Sequence, residues 1–95
     1  MRRGRRVASA SSERTARLPQ SVALHARPAG ELVRMAAGFD AEIVVGLADR
    51  VANAKSILEI LSLGAEGGSE LRIAASGDDA AAAVDRLAAL VTGLS

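Results

Sequence analysis

The sequence predicts an α+β fold: an open-faced β-sandwich, with a four-stranded antiparallel sheet and three helices packed on one face. Three observations predict it. Short stretches with alternating apolar residues, typical of strands, are interleaved with stretches whose apolar residues recur every three or four positions, typical of helices. Glycine, proline and capping residues separate these stretches in the order β-α-β-β-α-β-α. Each element has one apolar face, so helices are expected to cover one side of the sheet.

The first half of the chain supplies a strand and a helix. Arg14 to Leu18 alternates weakly and precedes Pro19, which predicts a first strand at or near a sheet edge. Residues 20–24 are predicted to be a loop. Residues 28–37 are predicted to form the first helix, which Gly38 ends. Its buried stripe is predicted to contain Ala29, Leu32, Val33 and Ala36.

The second half supplies three strands and two helices. Residues 41–47 and 50–52 are predicted strands joined by a turn at Ala48-Asp49, and residues 70–75 are the fourth strand. Ser56, with Glu59 three residues later, predicts a capping box at the start of a short second helix. Asp78 or Asp79 is predicted to cap the third helix. The buried stripe of that helix is predicted to contain Val84, Leu87, Ala88 and Val91.

Charge divides the chain into two parts. Residues 1–17 hold six arginines against one glutamate, a net charge of +5, whereas residues 18–95 hold six basic and ten acidic residues, a net charge of −4. The first residues are mostly arginine, serine, alanine and glycine, which cannot form a core. We therefore expect residues 1–13 to be a disordered basic arm and residues 14–95 to be the folded domain.

Composition excludes several functional classes. The chain has no cysteine and one histidine, so disulfides and a structural zinc site are not expected, and nothing indicates a cofactor. No apolar run approaches 18 residues, and the arm lacks the apolar centre of a secretory signal. We expect a monomeric cytoplasmic protein that does not bind membranes.

The most informative stretch is Leu24-His25-Ala26-Arg27-Pro28-Ala29. It contains the single histidine and leads into a helix, since proline is favoured in a first helical turn. A helix N-terminus presents unpaired N–H groups and a partial positive charge, which together bind anions such as phosphate. A nucleophilic imidazole beside this anion site and a guanidinium predicts a histidine that carries a phosphoryl group.

The predicted second helix is too apolar for a helix with one buried face. Ile57, Leu58 and Leu61 are near neighbours in it and cannot all face inward. We therefore predict that they form an exposed patch at which a partner docks.

These motifs resemble the HPr family, the histidine phosphocarriers of the bacterial phosphoenolpyruvate-dependent sugar phosphotransferase system. The resemblance rests on the His25 stretch, on Asn53-Ala54-Lys55-Ser56-Ile57 and on Leu63-Gly64, and covers about residues 14–93. It implies a stoichiometric carrier rather than an enzyme, with no cofactor. It also implies that His25 accepts a phosphoryl group at Nδ1 from enzyme I and passes it to an enzyme IIA.

The resemblance implies roles for further residues. Arg27 would steady the phosphoryl group, and Ser56 would be the target of a regulatory kinase, although a helix cap alone also explains a serine there. Ile57, Leu58 and Leu61 would form the docking patch. The sequence departs from the family in the loop before His25, where Val22 and Ala23 replace a polar residue and a glycine. Alanine adopts positive φ less easily than glycine, so the loop is expected to differ.

Two other readings compete with a phosphocarrier. A nucleic-acid-binding domain led by the arginine arm would need basic and aromatic residues on the fold, yet residues 18–95 are net acidic and Phe39 is the one aromatic residue. No nucleic acid is therefore expected as a partner. The second alternative is a regulatory module of the same family that binds transcription factors or enzymes. The intact His25-Ala26-Arg27-Pro28 sequence argues against it.

Overall fold

The computed structural model describes residues 11–95 and contains four strands and three helices in the predicted order. In chain order these are β1 Ser11–Arg17, α1 Ala26–Ala37, β2 Glu42–Leu47, β3 Arg50–Asn53, α2 Ile57–Ser62, β4 Glu70–Ser76 and α3 Ala80–Thr92. The strands form one antiparallel sheet in the order β1-β4-β2-β3, so β1 is an edge strand as predicted. The predicted fold class is confirmed.

The core lies between one face of the sheet and the three helices. Alternate residues of the central strands, such as Ile43 and Val45 of β2 and Leu71 and Ile73 of β4, point into it. Leu32 of α1 and Leu87 of α3 are fully buried against them. No polar or charged side chain is buried among the described residues, so burial of aliphatic surface is the main stabilising contribution.

The structure corrects the predicted start of the folded domain. Ser11, Ser12 and Glu13 were assigned to the arm, but they belong to β1 and pair with Ser76, Ala75 and Ala74 of β4. Their side chains are mainly exposed, so the sequence pattern did not mark them; ladder hydrogen bonds extend the strand regardless of side chain. The rest of the predicted arm, residues 1–10, lies outside the described residues.

The structure confirms Ser56 as the N-cap of α2 but corrects the predicted roles of two carboxylates at helix starts. Ser56 Oγ accepts a hydrogen bond from the Glu59 N–H at 3.2 Å, but the Glu59 carboxylate binds the Asn53 N–H instead of completing the capping box. Asp79 is the N-cap of α3, yet its carboxylate makes no bond to that helix and accepts the Asp40 and Ala41 N–H groups, both at 2.8 Å. Both carboxylates therefore join neighbouring elements.

The β2–β3 turn lacks glycine, as the sequence indicated, and its geometry shows how alanine is accommodated. Ala48 has φ of 55°, the one positive value among non-glycine residues in the described part of the chain. The Arg72 guanidinium lies across Gly46 and donates to the Ala48 carbonyl at 2.7 Å. This bond helps to hold a conformation that costs alanine about 1 kcal/mol.

Candidate functional site

His25 is the N-cap residue of α1, at the mouth of the helix. Its backbone is extended (φ −84°, ψ −165°), and its carbonyl accepts the Ala29 N–H at 2.8 Å as the first bond of the helix. The imidazole is exposed and makes no capping hydrogen bond. An exposed side chain is what a residue that exchanges a group with other proteins requires.

The helix begins two residues earlier than predicted, at Ala26 rather than at Pro28. Proline fits because the third helical position, like the first, needs no hydrogen-bond donor. Pro28 has no N–H group, so the unpaired donors of the first turn come from Ala26 and Arg27. Within residues 11–95, neither of these two N–H groups has a backbone partner. Two free donors and the positive end of the helix dipole consequently lie next to His25.

The loop before His25 is fixed by burial rather than by glycine. Val22 and Leu24 are both buried, and the Leu24 N–H donates to the Ala65 carbonyl at 2.9 Å. Ala23 does not adopt a positive φ, so no glycine is needed at that position. The departure from the family pattern therefore causes no backbone strain here.

A shallow, open depression of about 470 Å³ contains His25. Its lining also includes Arg27 and Pro28 from α1 and Ser95 from the end of the chain, so distant parts of the sequence meet here. A phosphoryl group fits easily in this volume. The open shape means that water screens the charges unless a partner protein covers the site.

The structure brings Arg27 and His25 together and adds contacts that the sequence analysis missed. Arg27 Nη1 pairs with Glu31 Oε2 at 2.6 Å, and Nη2 donates to the Ser95 carbonyl oxygen. The spacing of four residues could have revealed the Glu31 pair, since such side chains are neighbours on a helix. The Ser95 contact spans 68 positions, which no local pattern indicates.

The predicted apolar patch is exposed. Ile57, Leu58 and Leu61 are 39%, 74% and 37% exposed, whereas Ile60 of the same helix is fully buried. Leu58 also lines an open groove of about 300 Å³ with Val51 of β3, which is 65% exposed. The exposure predicted from the sequence is confirmed, and the docking role stays a prediction.

The patch and His25 lie on connected elements. α2 packs against α1, and the Ala65 carbonyl that receives the Leu24 N–H comes three residues after α2 ends. Ser56 is the N-cap residue of α2 and is half-buried. The patch and the loop before His25 are therefore linked through the packing of α1 against α2 and through this hydrogen bond.

Two functional classes find no support in this part of the molecule. Across residues 11–95, no group of three or more histidine, cysteine, aspartate or glutamate side chains could hold a metal ion. None of the helices described for this segment combines the length and the hydrophobicity needed to cross a bilayer.

Comparison with known proteins agrees with this geometry. The family model described as the PTS HPr component phosphorylation site matches residues 12–93. The phosphocarrier protein HPr of Streptomyces coelicolor is 41% identical over 81 residues, covering 84% of this chain and 87% of that protein.

Two solved structures extend the comparison. A crystal structure of a phosphocarrier protein HPr from Bacillus anthracis superimposes with a TM-score of 0.83 at 36% identity, covering 88% of this chain and all of that one. The solution structure of Crh, the Bacillus subtilis catabolite repression HPr, superimposes with a TM-score of 0.68 at 30% identity. The match covers 88% of this chain and all of that one.

Proposed function

This chain belongs to the PTS-HPr family of phosphocarrier proteins, and from that membership and the geometry at His25 we propose that it accepts a phosphoryl group from phosphorylated enzyme I and passes it to an enzyme IIA. The chain is then a stoichiometric carrier rather than an enzyme, and it needs no cofactor. One observation supports the proposal above all: exposed His25 is the N-cap of α1, is followed by two N–H groups with no backbone partner in residues 11–95, and lines the same depression as Arg27.

The transfer requires little chemistry from this chain. Nδ1 of neutral His25 attacks phosphorus, the new N–P bond forms, and the bond between phosphorus and the donor breaks, so the donor keeps that electron pair. The Ala26 and Arg27 N–H groups and the guanidinium then face the bound dianion, where charge-assisted hydrogen bonds stabilise it. Such transfers depend mainly on positioning and on stabilisation of charge, and the partner supplies the remaining groups.

The docking surface in this proposal is the patch of Ile57, Leu58 and Leu61. The exposure of these three aliphatic side chains supports the docking role, because apolar surface left in water does not stabilise the folded monomer. The protein is proposed to act as a monomer and to serve enzyme I and enzyme IIA in turn through the same surface. It is proposed to act in the cytoplasm, where phosphoenolpyruvate is made.

A regulatory role is the second candidate. Ser56 lies directly before the patch, and its similarity to the site of a serine kinase in the family supports phosphorylation there. A phosphate on Ser56, the N-cap residue of α2, would place negative charge beside Ile57 at the edge of the apolar patch, which would weaken docking. Likeness to a catabolite repression HPr supports a regulatory binding module as the alternative to a carrier.

The carrier function is tested by incubation with enzyme I and labelled phosphoenolpyruvate. The parent is expected to acquire an acid-labile, base-stable label, and His25→Ala should acquire none while remaining folded, since the imidazole is exposed. Ser56→Ala is the matched comparison, because it removes the other candidate phosphorylation site and should leave this label unchanged.

Labelling of His25→Ala would refute the assignment of the acceptor. Absence of label in the parent, with a known HPr labelled by the same enzyme I, would favour the regulatory alternative. Incubation with a bacterial HPr kinase and ATP then tests Ser56, since phosphorylation lost in Ser56→Ala supports the regulatory site.

A further inference from the structure

The Arg27 guanidinium is already occupied before any phosphoryl group arrives. Nη1 donates to the Glu31 carboxylate and Nη2 to the Ser95 carbonyl, which leaves three of its five N–H donors free. The Glu31 side chain is 32% exposed and that of Arg27 is 62% exposed, so the carboxylate is the better shielded partner.

Helix stability does not account well for this ion pair. An acidic residue four positions before a basic one stabilises a helix more than the reverse order found here, where the arginine precedes the glutamate. Arg27 also places positive charge in the first turn, where the helix dipole is already positive, and α1 has no acidic residue there. The Glu31 carboxylate is thus an acidic side chain paired with the arginine that the proposed site uses to bind an anion.

A phosphoryl group on His25 has to compete with Glu31 for the same guanidinium. Formation of the phosphohistidine adds about two negative charges beside the pair, so Glu31 both draws Arg27 away and repels the new dianion. Loss of the Glu31 charge should therefore leave Arg27 freer to bind the phosphoryl group.

We propose that Glu31 is a positioning residue that limits how strongly Arg27 retains the phosphoryl group on His25. The phosphoryl group remains transferable because the Arg27 guanidinium that binds it is shared with the Glu31 carboxylate. This inference rests on the proposed carrier function.

The test is the equilibrium between phosphoenolpyruvate and the phosphorylated chain, with catalytic enzyme I and a varied ratio of phosphoenolpyruvate to pyruvate. Glu31→Gln keeps the size of the side chain and removes its charge, and we expect it to raise the equilibrium constant for phosphorylation about two- to fourfold. Twofold is what an exposed pair of this spacing contributes, and relief of repulsion adds to it. Glu42→Gln, an exposed glutamate at the start of β2 and beyond the far end of α1, is the charge-matched control and should leave the constant unchanged.

Two further measurements separate positioning from a general effect on the fold. The difference between Glu31→Gln and the parent should shrink in 1 M salt, where charges are screened within about 3 Å. It should also become smaller in an Arg27→Met background, because Glu31 would then have no guanidinium to hold and only its direct repulsion of the phosphoryl group would remain.

Each result decides the inference separately from the carrier function. If the parent is phosphorylated at His25 but Glu31→Gln has the same equilibrium constant, the positioning role is wrong and the carrier function stands. An equal effect of Glu31→Gln in the Arg27→Met background would also overturn it, since Glu31 would then act directly on the phosphoryl group. If the parent is not phosphorylated at all, the carrier function itself fails.

Discussion

Leu58 and Ile60 offer a direct test of how α2 divides its side chains between the core and a partner. The two residues lie two positions apart on the same short helix and have the same number of carbon atoms. Leu58 is 74% exposed and Ile60 is fully buried. Leu58→Ala and Ile60→Ala therefore form a matched pair in which one change should affect binding and the other stability.

The magnitudes follow from burial. Complete burial of a leucine stabilises a protein by about 1.5–3 kcal/mol, so the quarter of Leu58 that is buried contributes about 0.4–0.8 kcal/mol. Truncation of a fully buried isoleucine costs about 2–5 kcal/mol, because a cavity adds to the lost transfer energy. For a domain of this size the melting temperature should fall by about 2–6 °C for Leu58→Ala and by at least about 8 °C for Ile60→Ala.

Urea unfolding followed by circular dichroism gives the free energies of unfolding, and phosphoryl transfer from enzyme I at varied carrier concentration gives KM. Leu58→Ala should raise KM about fivefold or more, the loss of about 1 kcal/mol typical of a residue that matters in an interface. Ile60→Ala, assayed where it is still folded, should keep the KM of the parent. Equal destabilisation by the two variants would place Leu58 in the core, and an unchanged KM for Leu58→Ala would refute the docking role.

Four further substitutions test other parts of the structure. Arg27→Ala should slow phosphoryl transfer at least tenfold without lowering the melting temperature by more than about 3 °C, because the guanidinium is exposed and its ion pair contributes little to stability; transfer at the parental rate would contradict its role. Hydrogen bonds from backbone N–H groups, that of Asp40 foremost, hold the pKa of the Asp79 carboxyl below its usual value of 3.8. Asp79 therefore stabilises the fold above about pH 4, and this contribution is lost as the pH falls through the lowered pKa. Asp79→Asn should be less stable than the parent at pH 7 and should lose less stability on acidification. Parallel curves of unfolding free energy against pH for the two proteins would contradict this. A Cβ on Gly67 would lie 1.9 Å from the Gln20 carbonyl oxygen, so Gly67→Ala should destabilise the fold by about 1–3 kcal/mol. A Cβ on Gly30 of α1 would make only an ordinary van der Waals contact with the Arg34 guanidinium at 3.5 Å, so Gly30→Ala should stabilise the fold by about 0.5–1 kcal/mol. Free energies of unfolding in urea would show whether the two changes have these opposite signs.

The order of elements could be predicted from the sequence because each element has its own periodicity. Ile43 and Val45 alternate with outward residues on β2, and Leu71 and Ile73 do so on β4, so the buried face was evident. The edges of the elements were less accurate. β1 begins three residues earlier than Arg14, because pairing with β4 extends a strand whose side chains carry no pattern.

The caps show a different limit of sequence reasoning. The sequence identified Ser56, and either Asp78 or Asp79, as capping residues, and Ser56 and Asp79 occupy N-cap positions. It could not identify the partners of the nearby carboxylates, since Glu59 and Asp79 bind backbone N–H groups of other segments. Those bonds depend on how the elements pack, which local spacing does not encode.

The contacts at the candidate site also fall into two sets, one predictable from local sequence and one set by the fold. His25, Arg27 and Pro28 are adjacent in sequence, so a helix start was enough to predict that an imidazole, a guanidinium and free N–H groups meet. The second set of contacts, from Arg27 to Glu31 and Ser95, depends on side-chain conformation and on where the end of the chain lies. In the proposed carrier, this second set of contacts would influence how readily the phosphoryl group is released.

A carrier of this kind is constrained by two opposite requirements, and the exposure of the site meets both. A buried phosphohistidine in a site of low dielectric would bind its cations strongly and release the phosphoryl group slowly. At the open mouth of α1, water weakens those interactions until a partner docks and excludes it. In the proposed function, the apolar patch on α2 would provide binding energy from residues outside the depression that contains His25, where it cannot trap the phosphoryl group on either protein. Separate surfaces for docking and for transfer would then allow tight docking and near-balanced transfer in one small domain.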